Sequence, residues 1–376
     1  MTLRNTHFLI PFLAFLGGIL LSLTNTDISA FDILMALLLM CLVPVLVQTG
    51  LPTTNAKDHA LTAFGFLAVL LILSFLFLPL NDTLFALTTA YVLVLFVIGK
   101  ILRAYTWSHL FLTGYRVGAF LVSLIGILVW YLGPDTGIGV TFIQGDRLMM
   151  LFSDPNVFGA FLVPALLYEI AYGIEHKEDR VRVSGSIIAS LIILLALNLS
   201  GSRGAYLSGA IGLITFILLH HTRGIMRMQS FLLPILFGIT IIGIILGVTS
   251  RGELLELRYS ASILPRIETY SWSLHTIADR DIPTLLRGTG SGSFEMLAPR
   301  GISAHNTYLR ILFEQGLLGL GTFLIGIFAV LHTFWKTSLK KSTTIALFAS
   351  IIGILAHGFV IDTLHMRHFW ILLGLL

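Results

Sequence analysis

The chain has 376 residues, of which 56% are hydrophobic and 11% charged, with a formal net charge of +4 and a mean hydropathy of +0.93. Soluble domains carry about 25% charged residues, so a water-soluble fold of this size, which could not cover its surface, is excluded. The single cysteine, Cys41, excludes an intramolecular disulfide and leaves the redox compartment open.

Apolar runs interrupted by polar residues predict twelve helices, near 8–24, 30–48, 60–78, 83–101, 110–132, 156–174, 184–200, 204–221, 230–249, 307–334, 343–361 and 367–376. Most are long enough to cross about 30 Å of hydrocarbon. The last is too short, and is expected to be a half-span or a helix in which the chain stops. Arg4 ahead of an apolar stretch, with Ser29-Ala30 behind it, imitates a secretory leader. The second span follows at once, so an uncleaved first helix is expected. The expected organisation is all-α: one polytopic membrane domain, 1–376, with a long outer loop, 250–305, between the ninth and tenth spans.

Lysine and arginine set the orientation. With the N-terminus in the cytoplasm, Arg4, Lys57, Lys100, Arg103, Lys177, Arg180, Arg182, Arg223, Arg227, Lys336, Lys340 and Lys341 all fall inside, including every lysine of the chain. The short outer turns 24–30 and 79–82 carry neither residue type. Both termini are therefore expected in the cytoplasm. The other 11 basic residues are all arginine: Arg116, Arg147, Arg203, Arg251, Arg258, Arg266, Arg280, Arg287, Arg300, Arg310 and Arg367. The planar fork of arginine suits bidentate recognition of phosphate. A polyanionic ligand on the outer face is expected, the alternative being arginines that touch lipid phosphates.

Three outer segments place a basic or titratable residue at a helix start. Ser202 is a candidate N-cap with Arg203 in the first turn. Leu264-Pro265-Arg266 opens a second helix, and Ile267, Tyr270, Leu274, Ile277 and Ala278 recur behind it at helical spacing, as in an amphipathic helix on a membrane surface. Ser303-Ala304-His305-Asn306 opens the tenth span. A cation at a helix start costs about 0.3–1 kcal/mol without a compensating anion, so Arg203 and Arg266 together fit a diphosphate held between them. The same field keeps His305 neutral and able to accept a proton as a general base, with Asn306 and Tyr308 beside it. The glycine run Gly288 to Phe294 lacks the spacing of a nucleotide loop and is expected to be a hinge or a close-approach loop. Arg310 and Glu314, four apart, form an expected structural ion pair. No metal-ligating motif is present, and neither a metal nor a cofactor is expected.

Several of these segments resemble the O-antigen ligase and O-antigen polymerase superfamily of bacterial membrane proteins. They are Asp154-Pro155-Asn156, Ser202-Arg203-Gly204-Ala205, Arg266 followed by Tyr270 and Trp272, the glycine run to Phe294, and Ala304-His305-Asn306-Thr307-Tyr308-Leu309 leading into Glu314-Gln315-Gly316. Asp362 through Arg367-His368-Phe369-Trp370 resembles the closing segment of that superfamily. The resemblance implies a GT-C-like fold and metal-independent, inverting transfer of a glycan from undecaprenyl diphosphate on the periplasmic face of the inner membrane. It makes His305 the base for the acceptor hydroxyl and Arg203 and Arg266 the diphosphate ligands. Arg147, Arg287, Asn306, Tyr308 and Asp362 would support them, Asp362 by orienting a partner or binding the acceptor sugar. A ligase would use lipid A-core as acceptor. The alternative is a polymerase joining carrier-linked repeat units. A transporter or lipid flippase is the rival from another class, but no internal repeat is visible and ionisable residues at mid-membrane are few. Membrane lipids are expected neighbours, and nucleic acid is not an expected partner.

Overall fold

A computed structural model describes residues 3–23, 29–49, 59–77, 82–133, 136, 141–152, 154–222, 264–337 and 341–376. The expected ninth span, 230–249, and the loop to residue 263 lie outside them. Every other apolar run is helical: α1 Leu3–Leu20, α2 Ala30–Thr49, α3 His59–Phe77, α4 Thr83–Ala104, α5 Ser108–Leu132, α6 Pro155–Glu175, α7 Arg180–Ser200 and α8 Arg203–Thr222. After the undescribed stretch come α9 Leu264–Ala278, α10 Ile282–Arg287, α11 Ser293–Leu297, α12 Thr307–Thr337, α13 Ser342–His357 and α14 Arg367–Leu375. Among the described residues the only strands are Ile143–Gln144 and Arg147–Leu148, paired antiparallel.

Local chemistry starts these helices. Asp82, Asp154 and Asp179 accept hydrogen bonds from backbone N–H groups of α4, α6 and α7, and Pro155 occupies the first turn of α6. Gly201 ends α7 at φ 57°, and one residue later the Ser202 hydroxyl accepts from Ala205 N at 3.2 Å, which starts α8 as expected. Six described helices are long and apolar enough to cross a membrane: α4 to α8 and α12. The protein is thus an all-α helical bundle with membrane-crossing helices. In it α8 packs on α13, α1 on α5, α14 on α4, α6 on α7 and α13, and α12 on α3. The short α14 is buried on all sides, as a helix apolar all round should be. Its Gly374 lies against Gly99 of α4, where a side chain on either residue would meet the other backbone.

One sequence expectation is corrected. The tenth span is not one continuous helix: α12 breaks at Gly316, with φ 66° and ψ −166°. The break is made by the glycine run, whose Thr289 and Gly290 amides donate to Phe313 O at 3.3 Å and Glu314 O at 3.0 Å. Loop amides thus satisfy carbonyls at the break. Gly288 lies against the Glu314 backbone where no side chain would fit, so the run is a close-approach loop. Along α9 the apolar residues Ile267, Tyr270, Leu274 and Ile277 recur on one side at helical spacing, where Ile267 and Leu274 are more than half exposed, while Thr269, Ser273 and Ile277 are buried. The described part of the segment 250–305 is packed, with Ile277, Phe294, Ala298 and Ala304 gathered on Leu309 and Phe313 of α12.

Candidate functional site

The start of α12 is tied to the turn that follows α13. Asn306 Oδ1 accepts from Leu309 N at 3.0 Å and so caps α12, while Thr307 N donates to Gly358 O at 2.8 Å. Thr307 Oγ1 also accepts from Thr363 N at 2.7 Å, and Tyr308 OH donates to Leu355 O at 2.7 Å. His305, just before the cap, is half-buried and lies in the left-handed region at φ 46°, which few non-glycine residues adopt.

Two other elements reach the same turn. From α9, Tyr270 OH donates to His305 O at 2.8 Å and lies 3.3 Å from Phe359 O, while Arg266 Nη1 donates to Val360 O at 3.1 Å. From α8, Gly204 lies against the His357 ring, and a Cβ there would stand 3.1 Å from Val360. Residues 357–360 are therefore the meeting point of the His305 turn, the first turn of α9 with Arg266, and the first turn of α8 with its exposed Arg203.

Burial holds the His305 imidazole below its usual pKa of 6.5, and the charge of Arg266 pushes the same way. Asp154 and Asp362 act in the opposite sense, and Arg310 adds to the lowering. The direction matches the sequence expectation, and burial together with the neighbouring Arg266 cation supplies it in the folded chain. A neutral imidazole beside the Arg266 cation can accept a proton from a hydroxyl while the cation holds an anion.

The supporting residues divide. Arg147 donates from Nε to Ser200 O at 2.9 Å and from Nη2 to Asn156 Oδ1 at 2.7 Å. It clamps the hairpin across the α7–α8 turn and the start of α6, which brings Asp154 toward His305. Asn306 and Tyr308 hold the turn, and Asn306 Nδ2 also donates to Phe359 O at 3.2 Å. Asp362 has both oxygens engaged, Oδ2 with Arg310 Nε at 2.7 Å and Oδ1 with Leu364 N at 2.9 Å. That geometry anchors the turn. Arg287 is exposed at the end of α10, where its charge acts on Asp281.

The arginines expected away from the cytoplasm also have an internal explanation. Arg116 forks onto Glu169 at 2.7 and 2.8 Å, and Arg367 onto Asp32 at 2.7 and 2.9 Å. Arg280 Nη1 donates to Phe313 O at 2.8 Å. Arg310 forms the expected pair with Glu314 at 3.1 Å, and also contacts Glu295 and Asp362. Lysine could not make these forks, so its exclusion reflects structural clamps as well as any ligand. The Glu295 and Asp362 partners, 15 and 52 residues from Arg310, left no signal in the sequence. Among the described residues no group of three or more His, Cys, Asp or Glu side chains is placed to hold a metal ion. No protein-family model and no curated protein sequence matches the chain.

Proposed function

We propose that the protein is a glycosyltransferase, an O-antigen ligase, that moves a glycan from undecaprenyl diphosphate to a hydroxyl of lipid A-core at the periplasmic face of the bacterial inner membrane. The proposal includes twelve spans in a GT-C-like arrangement, both termini in the cytoplasm, and a reaction without metal or cofactor. The observation that carries it is the convergence of His305 with the helix starts bearing Arg203 and Arg266 on residues 357–360.

In this reaction His305 takes the proton of the acceptor hydroxyl. The oxygen attacks the anomeric carbon opposite the diphosphate, and the breaking C–O bond leaves its electron pair on the diphosphate oxygen, which inverts the anomeric centre. Arg203 and Arg266 stabilise that charge. A base contributes about 10²–10⁴-fold in rate, and orientation about 7–11 kcal/mol of the barrier. For the prenyl chain, an apolar cavity of about 700 Å³ opens along α3 and α4. Ala86 on its lining follows Phe85, which has the Arg310 guanidinium 4.8 Å above its ring.

The test uses purified protein in detergent with undecaprenyl-diphosphate-linked glycan, EDTA, and either lipid A-core or carrier-linked repeat units as acceptor. Transfer to lipid A-core is expected, and transfer only to repeat units would make the protein a polymerase. His305→Ala should bind donor without consuming it, and a fully active His305→Ala variant removes the base. Arg203→Lys and Arg266→Lys should each lose most transfer, because lysine offers no fork.

A further inference from the structure

We propose that Tyr270 is a positioning residue that sets the backbone of His305, an inference that rests on His305 acting as the base. His305 stands in the left-handed region at φ 46°, and something must hold it there. Its carbonyl accepts the Tyr270 hydroxyl at 2.8 Å, and the same hydroxyl lies 3.3 Å from Phe359 O. One phenol therefore bridges the His305 turn and the turn after α13, which fixes the direction in which the imidazole leaves the backbone.

Thr269, Ser273 and Thr276 of α9 do not share this task, and turn back to carbonyls of their own helix at Pro265, Tyr270 and Trp272. Arg266 and Tyr270, four residues apart on one face, are the pair that reaches residues 305 and 359–360. Arg266 carries charge to a diphosphate, whereas the Tyr270 proton is committed to a backbone carbonyl. Burial raises the Tyr270 pKa further, so it stays protonated and acts through His305 rather than on substrate.

Tyr270→Phe keeps the ring and removes the bridge. The freed turn relaxes toward ordinary backbone angles and carries the imidazole away from Arg266. The groups that then govern its titration are Arg266 and Arg310, which lower its pKa, and Asp154 and Asp362, which raise it. The expected result is a fall in kcat of about tenfold with an unchanged KM for the undecaprenyl-diphosphate-linked donor, and an acid limb of the pH–rate profile moved up toward 6.5. A second measurement needs no turnover. The imidazole resonance identified by its loss in His305→Gln should titrate at higher pH in Tyr270→Phe than in wild type. Unchanged kcat and unchanged titration would overturn the proposal, and a raised donor KM with unchanged kcat would assign the hydroxyl to donor binding instead. A fully active His305→Ala variant would remove the base reading alone, since the titration comparison stands without it.

Discussion

Replacing Arg310 by glutamine removes the one positive charge from among three carboxylates. Arg310 is 2% exposed. Its guanidinium meets Asp362 at 2.7 Å, Glu295 at 2.9 Å and Glu314 at 3.1 Å, and donates to Ser303 Oγ at 3.0 Å. Removing one partner of a buried ion pair costs about 3–5 kcal/mol, which is about two to four powers of ten in the folded-to-unfolded ratio. The reverse change should behave differently. Glu314 is 1% exposed and is one of the three acids sharing that guanidinium. In Glu314→Gln the guanidinium keeps Glu295 and Asp362 while an amide oxygen remains to accept the bond, so the cost should stay within about 1 kcal/mol. Both variants are compared with wild type by titrating SDS into mixed micelles and following tryptophan fluorescence, with Trp272 and Trp370 as internal reporters. The expected order is a large loss for Arg310→Gln and a small change of either sign for Glu314→Gln. Equal losses would refute the view that Arg310 is the shared partner on which this cluster depends.

Further predictions follow from individual contacts. The rate should rise with pH along an acid limb centred below 6.5, because burial and Arg266 favour the neutral imidazole that accepts the proton. Asp154→Asn keeps an N-cap on α6 and removes a charge that raises the His305 pKa, so the limb should move to lower pH, and an upward shift in the pH–rate profile contradicts the assignment. Ile282, 74% exposed at the start of α10, should react as Ile282→Cys in a Cys41→Ala background with an impermeant maleimide on intact spheroplasts; labelling only after lysis reverses the orientation. Gly204→Ala places a methyl against the His357 ring and should cost about 1–3 kcal/mol by the overpacking it forces. The same SDS titration should show His357→Ala, added to Gly204→Ala, restoring part of that loss.

Much of the helical framework was legible in the sequence because an apolar run and its cap are properties of neighbouring residues. The run read near 83–101 is Thr83–Ala104, and that near 204–221 is Arg203–Thr222 with Ser202 as its cap. Arg203, Arg266 and His305 were legible for the same reason, since each is marked by where it stands relative to a helix start. Tertiary structure alone decided which arginines clamp the protein. Arg367 finds Asp32 across 335 residues and Arg116 finds Glu169 across 53, and no local pattern encodes pairing at that separation. The break in α12 was hidden likewise, because Glu314-Gln315-Gly316 reads as helix until the amides of Thr289 and Gly290 take the carbonyls beside it. The lowered pKa expected of His305 from its place before a helix start gains, in the folded chain, from burial beside Arg266, which no local pattern encodes. Span length and capping are settled within a turn or two of helix. Charge pairing, backbone breaks and the pKa of a half-buried ring depend on which helices pack together, and that is fixed only when distant segments meet.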